Sequence, residues 1–173
     1  MDDNALYELH QVAIDSLSAS GSRFNWHIDF ECEAKNLPSL RMEDVAKTAE
    51  EWRAEQATPS MYFTHRQYYK DGPQHIIDEL KFKSTSHRAL YSLLAQSDIS
   101  GSKDTPIPSF LTFQCSIENG NTLYCTATFR ALEVTKFLRI NLEEIRQNLH
   151  EITSAIPVIS KIHLHVFAFH AYC

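Results

Sequence analysis

PSFLTFQCSIENGNTLYCTATFR, residues 108–130, decides the fold, because it predicts a β-hairpin in the second half of the chain. The Asn-Gly pair at 119–120 is a strong turn signal, and apolar and polar residues alternate on both sides of it. A two-residue loop would pair Cys115 with Tyr124 and mix the two faces of the hairpin. A three-residue loop pairs Cys115 with Cys125 and keeps the apolar residues together, so we predict that register.

The two faces of this hairpin differ in composition. We expect the apolar face to hold Leu111, Phe113, Cys115, Ile117, Cys125 and Phe129. We expect the polar face to hold Thr112, Gln114, Thr126, Thr128 and Arg130, with Phe110 opposite Arg130. This polar face is either a half-solvated sheet surface or the wall of a polar cavity.

A periodic helix is predicted after the hairpin. Apolar residues recur at spacings of three and four from Leu142 to Ile156. Asn141, with Glu144 three residues later, matches a capping box, so we predict a helix that begins at Asn141 and reaches about Ser154. A helix start also presents free backbone N–H groups, which suit an anionic ligand.

The remaining segments predict an α+β fold. Periodicity predicts helices over 4–18, 41–56 and 74–82, strands over 24–33, 87–95 and 161–173, a loop or short strand over 58–69 and a loop over 97–108. No repeat or interior linker divides the chain. We therefore predict one domain over residues 1–173, with a mixed or antiparallel sheet and flanking helices.

Composition excludes several classes of protein. A chain of 173 residues can bury a substantial core. The net charge of -6 argues against nonspecific nucleic-acid binding, which needs a basic surface. The sequence has no apolar run of about 18 residues and no signal-peptide pattern, so we expect no membrane association and a cytoplasmic location.

The cysteines and histidines predict no metal site. The four cysteines lack metal-ligand spacing, and in a reducing compartment we expect free thiols. Cys115 facing Cys125 is the one place where a cross-strand disulfide remains an alternative. His163 and His165 share a strand face, but no third ligand lies at suitable spacing, so we predict no metal.

The motifs from residue 60 to residue 173 occur in an order that resembles a known family. They are Ser86-His87-Arg88, Pro108-Ser109-Phe110, Phe113-Gln114, Phe129-Arg130-Ala131, Glu133 with Asn141 eight residues later, and His170-Ala171-Tyr172. The order resembles that of thymidylate synthases and the related pyrimidine hydroxymethylases. The corresponding motifs of that family are, in sequence, Ser-Arg-Arg, Pro-Cys-His, Phe-Gln, Gln-Arg-Ser, Asp with Asn eight residues later, and His-x-Tyr. The resemblance implies a thymidylate synthase-like fold.

The resemblance also implies a nucleotide site and a homodimer. It assigns the nucleotide phosphate to Arg130 and to Arg88 of a second copy, the pyrimidine ring to Asn141, and the ribose to His170 and Tyr172. These roles suit the chemistry, because a guanidinium offers forked charged donors and an amide offers one donor and one acceptor group. A surface ion pair for Arg88 and an ordinary sheet face for His170 and Tyr172 are the alternatives.

In that family, two copies pack sheet to sheet. The apolar face of the hairpin is a candidate for this contact, and it is equally a candidate for the internal core of one copy.

The chain departs from the family at its chemistry. Ser109 stands where the family has its nucleophilic cysteine, and Phe110 replaces the histidine beside it. A serine needs a strong adjacent base, and the sequence shows none there. The family also continues past its His-x-Tyr strand to a tail that closes over folate. We therefore expect no folate cofactor and no folate-dependent methyl transfer.

Three functional interpretations follow. The first is a divergent thymidylate synthase-like protein that binds a pyrimidine nucleoside monophosphate, as a sensor, a scaffold or a regulatory subunit of a protein partner. The second is an enzyme on the same scaffold that uses Ser109, His170 or a bound water. The third is a structural or interaction protein that has lost the pocket. Arg130, Asn141 and the last strand favour the first two, and the missing thiol favours the first.

Overall fold

The computed structural model describes residues 4–59, 63–101 and 106–173. Its helices are α1 (Ala5–Leu17), a 3₁₀ helix (Ala34–Leu40), α2 (Glu43–Trp52), α3 (His65–Tyr69), α4 (Gly72–Phe82), α5 (Gln96–Ile99) and α6 (Phe137–Ala155). Its strands are β1 (Ser22–Glu33), β2 (Leu90–Ser92), β3 (Phe110–Glu118), β4 (Thr122–Phe129), β5 (Leu132–Glu133) and β6 (Lys161–Tyr172). The predicted α+β class is confirmed. None of the described helices is long and apolar enough to cross a membrane.

The strands form one mixed sheet. The order is β1-β6-β4-β3-β2, and the short β5 pairs with the end of β6. Both β4 and β5 run parallel to β6, whereas the other pairs are antiparallel. Pairing of Leu132 with Ala171 and of Glu133 with Tyr172 brings the segment after the hairpin beside the end of the last strand.

The predicted hairpin register is confirmed. Cys115 lies opposite Cys125, and three residues separate the paired ends of β3 and β4. Asn119 and Gly120 have φ values of 54° and 79°, in the left-handed region that glycine and asparagine tolerate best. The turn signal and the apolar alternation therefore agree, which explains why the local sequence was sufficient to predict the register of the hairpin.

The open end of the hairpin differs from the prediction. Phe110 lies opposite Phe129 rather than Arg130, because the register is irregular between Phe110 and Thr112. The irregularity turns the Phe110 ring into the core, where it stacks on Phe129 with ring centroids 4.8 Å apart. Leu111 is left partly exposed, so its predicted inward orientation was also wrong. A bulge that buries a phenylalanine is favoured over strict alternation.

The apolar face of the hairpin is part of the core of the chain. Five of its six predicted residues are buried and pack in one cluster with the inward side of α6: Phe113, Cys115, Ile117, Cys125 and Phe129. That face is covered within one copy and offers no sheet-to-sheet contact. The predicted polar face is an open sheet surface rather than a cavity wall, since Gln114, Thr126 and Arg130 are exposed. The thiols of Cys115 and Cys125 are free, with their Sγ atoms 3.4 Å apart.

Several predicted boundaries shift. The helix predicted over 41–56 is limited to α2, the strand over 87–95 is limited to β2, and the loop over 97–108 contains the one-turn α5. The segment 58–69, predicted as a loop or short strand, contains α3. A Thr64–Gln67 capping box starts this helix, with the Gln67 N–H 3.1 Å from the Thr64 hydroxyl. Residues 60–62 and 102–105 lie outside the described residues.

Candidate functional site

Glu133, and not Asn141, caps the start of α6. The helix begins one turn earlier than predicted, at Phe137. A Glu133 carboxylate oxygen accepts hydrogen bonds from the backbone N–H groups of Lys136 and Phe137, at 2.8 and 3.2 Å. Those donors are therefore occupied from within the chain. The predicted capping box of Asn141 and Glu144 was wrong, because both residues lie inside the helix.

Asn141 lies in the second turn of α6 and is 5% exposed. Its Nδ2 atom donates to the carbonyl oxygen of Phe137, 2.8 Å away. This hydrogen bond fixes the orientation of the amide. It leaves the Oδ1 atom and one amide hydrogen without a protein partner among the described hydrogen bonds.

A cavity of about 210 Å³ opens beside Asn141. It lies between the ends of α2 and β6, the starts of α3, β3 and α6, and strand β5. Its lining is aromatic with a few polar groups: Trp52, His65, Ser109, Phe110, Ala131, Leu132, Glu133, Phe137, Asn141 and Tyr172. The structure thus brings together three of the predicted site residues, namely Ser109, Asn141 and Tyr172.

The two predicted arginines lie in different places. The Arg130 guanidinium contacts the carbonyl oxygens of Ile107 and Pro108, at 3.2 and 3.4 Å, directly before Ser109. Arg130 is exposed and forms no ion pair with any described residue, so its charge remains available next to the cavity. Arg88 does not line the cavity; its side chain is 82% exposed and lies 3.7 Å from Glu79. Within the chain, Arg88 matches the alternative of a surface ion pair.

His170 and Tyr172 share one end of β6, as predicted. Their ring centroids are 5.4 Å apart. His170 stacks on Phe24 of β1 at 4.6 Å and does not line the cavity, whereas Tyr172 does. Within the chain, His170 therefore packs against the edge strand β1, next to the site.

A histidine that was not predicted faces the cavity from α3. The His65 Nδ1 atom lies 2.7 Å from Oε2 of Glu144, although the two residues are 79 positions apart in the chain. Aromatic rings hold the imidazole from two sides, with Trp52 at 4.9 Å and Phe110 at 5.8 Å between centroids. The hydrogen bond and the rings together fix the orientation of His65.

Glu144 supports His65 from inside the protein. Its side chain is fully buried, and its Oε1 atom has no hydrogen-bond partner among the residues that the structure describes. Two tyrosines lie in its surroundings: burial raises the pKa of Tyr91 well above its ordinary value, and the Glu144 charge raises it further. Burial and Glu144 act on the pKa of Tyr69 in the same direction. Both hydroxyls therefore stay protonated.

One local signal pointed towards His65. Thr64 and Gln67 form a capping box, and His65 is the first residue after that cap. The sequence could therefore place His65 at a helix start. It could not show the pairing with Glu144, because that contact joins two distant segments.

The cavity has groups that can hold or move a proton. The Ser109 hydroxyl has no hydrogen-bond partner among the described residues, and neither has the Nε2 atom of His65. The sequence offered no base beside Ser109, and the structure places His65 in the same cavity. An imidazole oriented by a carboxylate at one nitrogen can accept a proton at the other.

The described residues contain no group of three or more histidines, cysteines or acidic residues that could hold a metal ion. His163 and His165 instead lie beside carboxylates of β1, at 3.3 Å from Glu31 and 2.7 Å from Asp29. These pairs cross the open face of the sheet, away from the cavity.

No protein-family model matches the chain, and a search of curated proteins found no match.

Proposed function

We propose that the cavity binds the base of a pyrimidine nucleoside monophosphate. One observation carries this proposal: Ser109, Asn141 and Tyr172, which are far apart in the sequence, line one aromatic cavity. Arg130, which forms no ion pair with any described residue, lies next to it. Aromatic walls suit the faces of a planar heterocycle, and a few polar groups among them suit its edge.

The size of the cavity supports one ring rather than a whole nucleotide. Pockets for drug-sized ligands occupy roughly 300–1,000 Å³, and this cavity occupies about 210 Å³. We expect the base to enter and the sugar and phosphate to remain at the mouth. His170, stacked near Tyr172, is the candidate contact for the ribose.

Arg130 is the candidate contact for the phosphate. It is exposed, it lacks an acidic partner among the described residues, and its guanidinium donates to two backbone carbonyl oxygens. A forked guanidinium binds phosphate with charge-assisted hydrogen bonds. Binding needs no folate in this proposal, and the protein acts as a sensor or regulatory subunit.

A catalytic role for the same site is the second candidate. The observation that favours it is His65, a base held by Glu144 in the cavity that contains Ser109. In this alternative, His65 accepts a proton from Ser109 or from a bound water during a reaction on the nucleotide. Chromatography would measure the loss of nucleotide over time in the presence of each protein. Loss with the native protein but not with the His65→Phe variant would support this candidate.

A homodimer belongs to the proposal as well. The hairpin's apolar face is internal, so the second copy would use another surface, and Arg88 would extend from that copy towards the pocket. Its exposure of 82% leaves the side chain free to do so. Sedimentation that shows a monomer at micromolar concentration would remove Arg88 from the site.

A thermal-shift series with nucleoside monophosphates tests the main proposal, because a ligand that binds the native state raises the melting temperature. We expect pyrimidine monophosphates to raise it, the matching nucleosides to raise it less, and purine monophosphates to leave it unchanged. An equal effect of all monophosphates would contradict recognition of the base. No effect of any would contradict the nucleotide site.

A further inference from the structure

We propose that the ligand of this site is a phosphodiester whose second base stacks on the exposed rings of Phe24 and Phe169, next to the cavity. This inference rests on the proposed binding of a pyrimidine nucleotide and adds the class of ligand, a dinucleotide rather than a mononucleotide. A row of aromatic rings and the position of Arg130 carry it.

The aromatic row leads from the cavity to the open face of the sheet. Its four rings are, in order, Tyr172, His170, Phe24 and Phe169. The centroids of successive rings are 5.4, 4.6 and 5.5 Å apart. Tyr172 also lines the cavity, so the row is continuous with the site proposed for the first base.

The outer end of the aromatic row is exposed to solvent. Phe24 is 60% exposed and Phe169 is 56% exposed, although the two rings contact each other edge to face. Removing such rings from water is favourable, so neighbouring exposed rings indicate a binding surface. Proteins that hold single-stranded nucleic acids stack the bases on aromatic side chains in this way.

The backbone at Asn25 accounts for the exposure of Phe24. Strict alternation along β1 would place Phe24 on the same face as Trp26, which is buried. Asn25 lies between them with a φ of 52°, in the left-handed region, which interrupts the extended backbone. This conformation is unfavourable for a residue other than glycine. The chain therefore accepts a cost at the point where it turns an apolar ring towards solvent, which favours a functional role for that ring.

Arg130 lies beside the aromatic row. Phe129 pairs with Ala168 in the parallel strands β4 and β6, and both residues are buried, so the next residues, Arg130 and Phe169, follow on the open face. Neighbouring strands lie about 4.8 Å apart. Arg130 donates to backbone carbonyl oxygens through Nε and Nη2, and its Nη1 atom has no partner among the described hydrogen bonds. A phosphate bound there would have the cavity on one side and Phe169 on the other.

This arrangement suits two bases joined through one phosphate. The cavity of about 210 Å³ has room for one ring, so a second ring has to lie outside it. A nucleoside esterified to a phosphate at Arg130 would reach Phe169 and Phe24 on the adjacent strands. Stacking tolerates any base, so the row requires a second base without selecting its kind.

Calorimetric titration of the full chain with matched phosphodiesters tests this inference. The probes are the dinucleotides adenylyl-uridine and adenylyl-cytidine, in which the phosphate is on the 5′ oxygen of the pyrimidine nucleoside. Each is compared with the methyl ester of the same pyrimidine 5′-monophosphate, which has the same charge and lacks the second base. We expect the dinucleotide to bind about tenfold more tightly, because stacking of one base contributes about this factor.

Two single variants test where the second base lies. In Phe169→Ser and in Phe24→Ser, the affinities for a dinucleotide and for its methyl ester should agree within about twofold. Both side chains are exposed, so each variant should fold. Phe82→Ser removes an exposed ring at the end of α4 and is the matched control, which should keep the preference of about tenfold.

Equal binding of a dinucleotide and its methyl ester by the native protein would overturn the inference and leave the nucleotide site intact. So would binding of monophosphates alone. Sedimentation in which the native protein self-associates and Phe169→Ser does not would show that a second copy covers these rings, and would also overturn it. Absence of binding by every probe and every monophosphate would overturn the proposed function and this inference with it.

Discussion

Helix α6 carries two neighbouring glutamates that are both fully buried and differ in their partners. Glu143 is fully hydrogen-bonded: both of its oxygens bind the Arg146 guanidinium, at 2.7 and 2.8 Å, and Oε2 also accepts the Met42 N–H at 3.0 Å. Glu144 binds His65 through one oxygen, and its other oxygen has no hydrogen-bond partner in the described part of the chain.

The difference in hydrogen bonding suggests different roles for the two glutamates, a structural one for Glu143 and a functional one for Glu144. A buried carboxylate is stable when every lone pair is used, and Glu143 approaches that state by joining α6 to the segment before α2. Glu144 holds a histidine towards a cavity, and its unpaired oxygen is costly to the fold. A residue that costs stability beside a cavity is a candidate for function.

The largest effect should follow from removing Glu143. In Glu143→Ala, Arg146 keeps a buried guanidinium, 8% exposed, without its carboxylate. Breaking a buried pair in this way costs about 4 kcal/mol, which chemical denaturation can measure. The matched control is Glu151→Ala on the same helix, whose half-exposed pair with Arg53 should contribute at most about 1 kcal/mol. Equal losses in the two variants would remove the distinction between the glutamates.

Arg130 extends the comparison to a cation that has no acidic partner among the described residues. If its charge serves a ligand, Arg130→Ala should weaken binding of a pyrimidine monophosphate by about thirtyfold and leave the free energy of unfolding almost unchanged. Titration calorimetry measures the first quantity and denaturation the second. Lys136→Ala, which removes an exposed cation at the start of α6, serves as a control. Unchanged affinity in Arg130→Ala would mean that the phosphate lies elsewhere.

Replacing each glutamate with glutamine sharpens the same comparison. Glu144→Gln removes a buried charge that had one unpaired oxygen, and the amide oxygen can still accept from His65. We expect a change in unfolding free energy within about 1 kcal/mol. Glu143→Gln should cost at least twice as much, because Arg146 loses its counter-charge. The reverse order, in parallel denaturation curves, would show that Glu144 is the structural residue.

The smallest effect is expected at Ser109. Its hydroxyl has no partner among the described residues, so Ser109→Ala should change nucleotide affinity by no more than about twofold. The substitution distinguishes the two candidate functions: a binding protein would retain its behaviour, whereas an enzyme that uses Ser109 would lose turnover.

The site was only partly predictable. The sequence placed Ser109, Asn141 and Tyr172 in one site through the order of the motifs, and these residues line one cavity. It misplaced the start of α6, because an Asn with a Glu three residues later matches a capping box wherever it occurs. Glu133 satisfies the helix start instead, and Glu144 turns inward to His65.

The sequence by itself determined the class of the fold, the register of the hairpin and the periodic helix after it, because these depend on residues that are neighbours in the chain. A turn signal and alternating side chains suffice for a local pair of strands. Only the tertiary structure decided that Phe110 turns inward, that the apolar face of the hairpin lies in the core of the chain, and that His65 meets Glu144. Those contacts join distant segments, and packing and hydrogen bonding across the whole core select them.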